Sequence, residues 1–182
     1  MTVRIGFVGP SNCGKTVIAE YYAELVTDPN FADYHPTQGL RIIETERKVA
    51  LHEGDEQRTI PVQIWDISGD PQYEPYYSRL SLQLDGVVII VPANEASLTS
   101  TVKKYYSLVV DEERVGKPGF VMVFFHKPFQ PAQEDVYVED KNLAAIPVHR
   151  TSMEVERQQI DEVLDQLVAR IGQKNENDAD YI

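Results

Sequence analysis

The sequence predicts an α/β protein with a mostly parallel, six-stranded sheet and helices on both faces of that sheet. Two observations support this fold class. Short apolar and β-branched runs alternate with segments in which apolar residues recur every three or four positions, as in βαβ units. The length of 182 residues also suits one domain with a core of ordinary size. We therefore assign residues 1–172 to one domain and the polar, acidic residues 173–182 to a flexible tail.

Strands are predicted where β-branched and aromatic residues form short runs bounded by turn residues. The first run stops at Gly9, and the polar segment 52–56 joins the second and third runs as a hairpin. The fourth and fifth runs are uninterrupted and apolar, which is typical of buried strands in a parallel sheet. In chain order the predicted strands are 3–8, 40–51, 59–65, 87–91, 120–125 and 146–148.

Helices are predicted where apolar residues lie three and four positions apart. The first runs from Thr16 to the break at 28–30, the second follows the proline-containing loop 67–75, and the third covers 97–113. The T-x-x-E sequence at 151–154 is a capping box that predicts the start of the last helix. The apolar face of that helix consists of Ile160, Val163, Leu164, Leu167 and Ile171.

The composition excludes several classes of partner and site. Seventeen Lys and Arg against 29 Asp and Glu leave a net charge of −12, which disfavours nucleic acid and anionic lipid. Cys13 is the only cysteine, so the chain forms no internal disulfide and no thiolate zinc cage. The apolar runs are too short to span a bilayer, and we see no leader or lipidation signal. We expect an intracellular protein without nucleic acid or a direct membrane anchor.

The segment between the first strand and the first helix matches the phosphate-binding pattern G-x-x-x-x-G-K-[ST]. Its glycines allow backbone N–H groups to surround a phosphate at a helix N-terminus, Lys15 adds a full positive charge, and the Thr16 hydroxyl can bind Mg²⁺. Cys13 in this loop is either a thiol whose pKa the helix lowers or a small side chain that faces away from the phosphates. The predicted nucleotide-binding residues here are Gly9, Pro10, Ser11, Asn12, Cys13, Gly14, Lys15, Thr16 and Val17.

Two later segments separate a nucleotide switch from a motor or a small kinase. Tyr34 and Thr37 fall in the loop after the first helix, and Thr37 can add a second hydroxyl to a metal ion. Asp66 ends the third predicted strand, where a carboxylate can hold Mg²⁺, and the backbone N–H of Gly69 can reach a γ-phosphate. We therefore expect Thr16, Thr37 and Asp66 to form the metal site.

This combination of motifs resembles the Ras superfamily of small GTPases over residues 3–171, and within it a Rab-like group that serves intraflagellar transport. The resemblance implies the small-GTPase (P-loop NTPase) fold, binding of GTP or GDP with Mg²⁺, and a place in complex B of the cilium or flagellum. It further implies docking on the coiled-coil intraflagellar transport proteins 74 and 81, in the cytoplasm, the cilium and its base. The segments that carry it are Phe7–Pro10, Tyr34–Gly39, Trp65–Asp70 and His126–Pro128. In this resemblance, Tyr34 and Thr37 match the family's first switch segment, and Asp66 with Gly69 match its second, which continues through residues 73–77.

The departures from the family pattern affect hydrolysis and base recognition. Asp70 stands at the catalytic position where the family places a water-orienting glutamine, so the role of the glutamine is unfilled and hydrolysis should be slow. Phe129 replaces the aspartate that reads guanine, so discrimination among bases should be relaxed. Lys127 can still lie along a purine ring, and the backbone N–H of Met153 can favour a 6-keto group. His126 is expected to be a neutral brace of its loop rather than a catalyst, and Ser152 completes the predicted base side.

Aromatic residues around the second switch segment predict an interaction surface. Tyr and Trp are the residues that most often anchor interfaces, although here they can equally cover the sheet edge and pack the second helix. The predicted docking residues are Trp65, Tyr73, Tyr76 and Tyr77, with Ile42 beside them.

Two functional classes fit these features, and a third is disfavoured. The first is a nucleotide-dependent binding subunit with weak hydrolysis, and the alternative is a competent GTPase that regulates vesicular or ciliary trafficking. A P-loop kinase of small metabolites is disfavoured by the pattern of Thr37 and Asp66-x-x-Gly69 and by the lack of an arginine-rich lid.

Overall fold

The structure, a computed structural model, describes residues 2–27, 35–92, 97–110, 120–126, 138–154 and 157–179. Its strands are β1 (Val3–Val8), β2 (Leu40–Val49), β3 (Arg58–Ile67), β4 (Gly86–Pro92), β5 (Val121–His126) and β6 (Val148–Thr151). Its helices are α1 (Lys15–Tyr22), α2 (Tyr77–Ser81), α3 (Leu98–Val109) and α4 (Arg157–Ala179), and a 3₁₀ helix (Pro71–Tyr76) leads into α2.

The strands form one six-stranded sheet in the order β2-β3-β1-β4-β5-β6. Only the β2–β3 pair is antiparallel; the other neighbours in the described sheet are parallel. α1 and α4 pack together against the sheet, and α2 and α3 form a second packed pair. The predicted α/β fold with a mostly parallel sheet is confirmed. Since β1 pairs with β3 on one side and β4 on the other, the sheet has a crevice at the carboxyl end of β1, where such folds bind ligands.

α1 ends at Tyr22, well before the predicted break at 28–30, because the chain leaves the helix through a Schellman turn. Glu24 adopts a left-handed conformation with φ 58°. The Glu24 N–H donates to the Tyr21 carbonyl at 2.9 Å, and the Leu25 N–H donates to the Glu20 carbonyl at 2.9 Å. These two bonds satisfy the last carbonyls of the helix, so the helix stops without a glycine or proline at the turn.

α4 differs from its prediction at both ends. Thr151 is the last residue of β6 and α4 begins at Arg157, so the predicted capping box at 151–154 is wrong. The prediction of a flexible tail is also wrong for residues 173–179, which continue α4. The added turns pack on the β2–β3 hairpin, where the Gln173 amide donates to the Leu51 carbonyl.

Candidate nucleotide-binding site

The loop 9–16 joins the carboxyl end of β1 to the first turn of α1, as predicted. Gly14 is the N-cap residue of α1 with φ 95°, and a Cβ there would lie 2.7 Å from Cδ2 of His126. A Cβ at Gly9 would lie 2.0 Å from the carbonyl oxygen of Ile90. Both positions therefore require glycine, and the α1 N-terminus faces the crevice. The intervening Pro10, Ser11 and Asn12, and Val17 in the first turn of the helix, are in the places that the motif predicts.

The ammonium group of Lys15 is held inside the curve of this loop. Its Nζ donates to the carbonyl oxygens of Gly9 at 3.1 Å and Pro10 at 2.8 Å, and the side chain is only 5% exposed. Cys13 lies behind it with Sγ 3.7 Å from Nζ. Burial raises the pKa of the Cys13 thiol despite the nearby ammonium, so Cys13 is a packed small side chain and not an activated thiol.

Three oxygen-bearing side chains from distant segments converge beside the loop. The Thr16 hydroxyl donates to Asp66 Oδ2 at 2.7 Å, and the Thr37 hydroxyl donates to the same oxygen at 2.9 Å. The two hydroxyl oxygens lie 3.0 Å apart. The structure therefore brings the three predicted metal ligands together at the carboxyl end of β3.

The chemistry of this cluster fits Mg²⁺. Asp66 is fully buried, and its Oδ1 has no hydrogen-bond partner among the described residues. Burial raises the pKa of Asp66, while the two threonine hydroxyls act in the opposite direction. A buried, half-satisfied carboxylate between hydroxyls is a set of hard oxygen donors. Within the described part of the chain no three His, Cys, Asp or Glu side chains cluster as a softer metal would require.

The second switch segment lies directly against the phosphate loop. A Cβ at Gly69 would come within 2.4 Å of the Ser11 nitrogen, so only glycine permits this approach. The next residue, Asp70, turns its carboxylate to the 3₁₀ helix, where it accepts from the Gln72 N–H at 3.0 Å and from Gln72 Nε2 at 2.9 Å. Asp70 therefore acts as an N-cap in this structure.

The base side of the crevice is built by the ends of β5 and β6. His126 is buried, and its Nδ1 is hydrogen-bonded to the Thr151 hydroxyl at 2.9 Å. Burial lowers the pKa of His126 to about 4, so it is a neutral brace, as expected. Ser152 and Met153 follow Thr151 in the loop 152–154 and are also buried. The predicted contacts Tyr34 and Lys127, and the substituted Phe129, lie outside the described residues.

The predicted docking residues differ in exposure, and one of them is not on the surface. Ile42 is 46% exposed and pairs across the strands with Trp65, and Tyr76 is 60% exposed. Tyr73 is half-buried and donates to Gln38 Oε1 at 3.3 Å. Tyr77, however, is fully buried, donates to the Ser68 carbonyl and packs on an α3 tyrosine. Tyr77 is therefore a core residue and not a surface anchor.

Sequence reasoning missed two arginines. Arg47 on β2 contacts Asp161 and Asp165 of α4, and Arg157 at the start of α4 reaches the carbonyl oxygens of Met153 and Thr27. The placement of an arginine in the first turn of a helix, where the dipole disfavours a cation, is the one local signal that points to Arg157.

Comparisons with known proteins agree with this geometry. The family model described as "Ras of Complex, Roc, domain of DAPkinase" matches residues 4–123. The chain is 27% identical to the intraflagellar transport protein 22 homolog of Danio rerio over 93% of this chain and 89% of that protein. It is 30% identical to the Bos taurus homolog over 74% of this chain and 71% of that protein.

Solved structures show the same fold. The GDP-bound crystal structure of T. brucei intraflagellar transport protein 22 superposes with a TM-score of 0.63 at 20% identity, covering 93% of this chain and 98% of that one. The GTP-bound form of the same protein gives a TM-score of 0.59 at 20% identity, over 92% and 96% of the two chains. The chain thus belongs to the Ras-like GTPase family, in which its relatives are the intraflagellar transport protein 22 homologs.

Proposed function

We propose that this protein binds GTP and GDP with Mg²⁺ and acts as a nucleotide-dependent binding subunit of intraflagellar transport complex B. The observation that carries the proposal is the convergence of Thr16, Thr37 and Asp66 within 3.0 Å of one another. This convergence ties the phosphate loop to both switch segments. A γ-phosphate and its metal ion would be sensed by both segments at once.

Each part of the site has a defined task in this proposal. The loop N–H groups, the α1 N-terminus and Lys15 bind the phosphates, and Thr16, Thr37 and Asp66 hold the metal. When bound, Mg²⁺ would neutralise charge on the β- and γ-phosphates. Gly69 lies against the loop, and its N–H is proposed to bind the γ-phosphate and so to couple it to the segment that follows. The buried Oδ1 of Asp66 is the atom that gains most from a cation.

Hydrolysis is proposed to be slow. The carboxylate of Asp70 is used to cap the 3₁₀ helix through Gln72, and its negative charge opposes approach to a γ-phosphate. No glutamine stands at the position where the family orients the attacking water. Guanine selectivity is proposed to be relaxed, since Phe129 lacks the carboxylate that pairs with a guanine.

The partner is proposed to dock on a face formed by Ile42, Trp65, Tyr73 and Tyr76. Trp65 and Ile42 form a cross-strand pair at the exposed side of β2–β3, and Tyr76 is the most exposed aromatic of the group. Beyond Ile42 the same side of β2 carries exposed glutamates at 44 and 46, which favours a partner with basic side chains. The coiled-coil intraflagellar transport proteins 74 and 81 are the proposed partners, with the cilium or flagellum and its base as the place of action.

Identification of the nucleotide released on denaturation tests the proposal. We expect wild-type protein and the exposed-lysine control Lys48→Ala to release a guanine nucleotide, and Lys15→Ala and Thr16→Asn to release little or none. Removal of Mg²⁺ with a chelator should accelerate loss of nucleotide from the wild type. Full occupancy of Lys15→Ala would refute the assignment of the phosphate site.

Capture of the purified 74–81 pair tests the docking face. Tyr76→Ala should weaken binding by about 1–2 kcal/mol if Tyr76 is an interface anchor. Leu82→Ala serves as the matched control, because Leu82 is 49% exposed but lies outside the proposed face. Equal binding by Tyr76→Ala, Thr16→Asn and wild type would place the interface elsewhere.

A further inference from the structure

Arg157, the first residue of α4, joins two loops that are distant in sequence. Its Nε donates to the carbonyl oxygen of Met153, and its Nη1 donates to the carbonyl oxygen of Thr27 at 2.9 Å. Met153 belongs to the base-side loop 152–154, and Thr27 lies beyond the end of α1 on the way to Thr37. One guanidinium therefore links the base-side loop to Thr27, beyond the end of α1.

Arg157 lies at a position in α4 that is unfavourable for a cation. A cation in the first turn of a helix faces the positive end of the dipole, and the first turn of α4 contains no acidic residue. The side chain of Arg157 instead donates hydrogen bonds to the carbonyl oxygens of Met153 and Thr27. Those contacts offset the unfavourable position of the charge.

The arginine adds to a series of contacts that joins the base-side loop to both ends of α1. His126 packs on Gly14 at the start of α1 and is hydrogen-bonded to Thr151. The chain then passes through the base-side loop to Arg157, which returns to Thr27 beyond the end of α1. Arg157 thus supplies contacts that link the base-side loop to Thr27 beyond the end of α1.

We propose that Arg157 is a positioning residue that limits how fast a bound guanine nucleotide leaves. The inference rests on the proposed nucleotide binding. Departure of the base requires the base-side loop and the exit of α1 to separate, and Arg157 bonds to both. The contacts that position the phosphates and metal, at Lys15, Thr16 and Asp66, do not involve it. Loss of Arg157 should therefore accelerate release without changing hydrolysis of nucleotide that remains bound.

Dissociation of N-methylanthraniloyl-GDP, chased with excess GDP, tests this inference. We expect Arg157→Gln to release the probe about tenfold or more faster than wild type, as loss of two charge-assisted hydrogen bonds implies. Arg157→Lys keeps the positive charge but lacks the planar guanidinium that bonds to both carbonyl oxygens. Its release rate should therefore lie between those of the wild type and Arg157→Gln. Arg170→Gln removes an exposed arginine of the same helix and should match the wild type. Single-turnover hydrolysis of preloaded GTP should stay within about twofold for all four proteins.

The outcomes separate the two proposals. If wild-type protein does not retain guanine nucleotide, the proposed function fails. If it retains nucleotide and Arg157→Gln releases the probe at the wild-type rate, the inference about Arg157 alone fails. A drop in hydrolysis that parallels the faster release would indicate general loosening and would also overturn it. Should Arg157→Gln not fold, Arg157→Lys decides, with faster release at an unchanged melting temperature as the expected result.

Discussion

Arg47 makes the largest charge network of the described structure, and its removal should destabilise the fold strongly. Its Nε and Nη2 bind the two carboxylate oxygens of Asp165 at 2.9 and 3.0 Å, and Nη2 also contacts Asp161 at 3.2 Å. The guanidinium lies 4.3 Å from the centre of the Tyr22 ring, whose hydroxyl donates to Asp165 at 2.8 Å. Arg47 thus connects β2 to both α1 and α4.

The structure sets the expected size of the effect for Arg47→Met. The Arg47 side chain is 11% exposed, so the variant strands two carboxylates in a largely buried environment. Breaking such a pair costs about 3–5 kcal/mol. Because Asp161 and Asp165 are each 29% exposed, water offsets part of this penalty, and we expect a loss of about 3 kcal/mol. For a domain of this size the melting temperature should fall by about 6–12 °C.

Urea unfolding followed by far-UV circular dichroism, at one fixed excess of nucleotide, measures the effect. Arg41→Met is the matched control: its ion pair with Glu20 at 2.5 Å is 46% and 27% exposed, so the control should lose less than about 1 kcal/mol. Combining Arg47→Met with Asp165→Asn should recover part of the loss, since one stranded charge disappears. If Arg47→Met costs no more than Arg41→Met, the reasoning about burial is refuted.

Three further predictions follow from single residues. The pKa of His126 is about 4 in the folded protein, below its ordinary value, so the unfolded chain binds a proton at pH values where the folded protein does not. Between pH 7 and 5 the wild type should therefore lose about 2 kcal/mol more of its free energy of unfolding than His126→Asn. Parallel pH profiles of stability for the two proteins would contradict this. Glu24→Gly should raise the free energy of unfolding by about 0.5–1 kcal/mol because it relieves the left-handed strain at the end of α1, whereas Glu24→Ala should not. Asp70→Asn can still accept the hydrogen bond from the Gln72 N–H, so single-turnover GTP hydrolysis should stay within about twofold of wild type. A tenfold fall would indicate that Asp70 is catalytic.

The features that could be predicted are those encoded in local patterns. The strand runs, the phosphate loop and the order of Thr16, Thr37 and Asp66 depend on short segments and on the topology of a parallel sheet, which brings strand ends together. The exposure of an aromatic residue depends instead on what packs over it. Tyr76 and Tyr77 are neighbours in sequence, yet α3 covers only the second of them.

The features that could not be predicted involve pairs far apart in the chain. Arg47 and Asp165 are 118 residues apart. From its own local sequence, each is predicted to be an exposed charged side chain. The polar end of α4 has the composition of a frayed tail, but the ion pair of Arg58 with Glu176 at 2.5 Å and the contact of Gly172 with Leu51 keep it on the hairpin. Tertiary contacts thus override the weak helical preference of that segment.

The end of β3 explains how the proposed docking face can respond to nucleotide. Side chains alternate along a strand, so Asp66 is buried at the oxygen cluster while Trp65 lies on the opposite side, paired with Ile42. Beyond β3, the Ser68 N–H donates to the Gly39 carbonyl at 2.8 Å, and the Ser68 carbonyl accepts from Tyr77. Gly39 of the first switch segment and Tyr77 of the second are therefore attached to the same residue, Ser68. A ligand bound at Asp66 would therefore act on both switch segments through Ser68, two residues along the chain, and we expect the proposed docking face to respond to it.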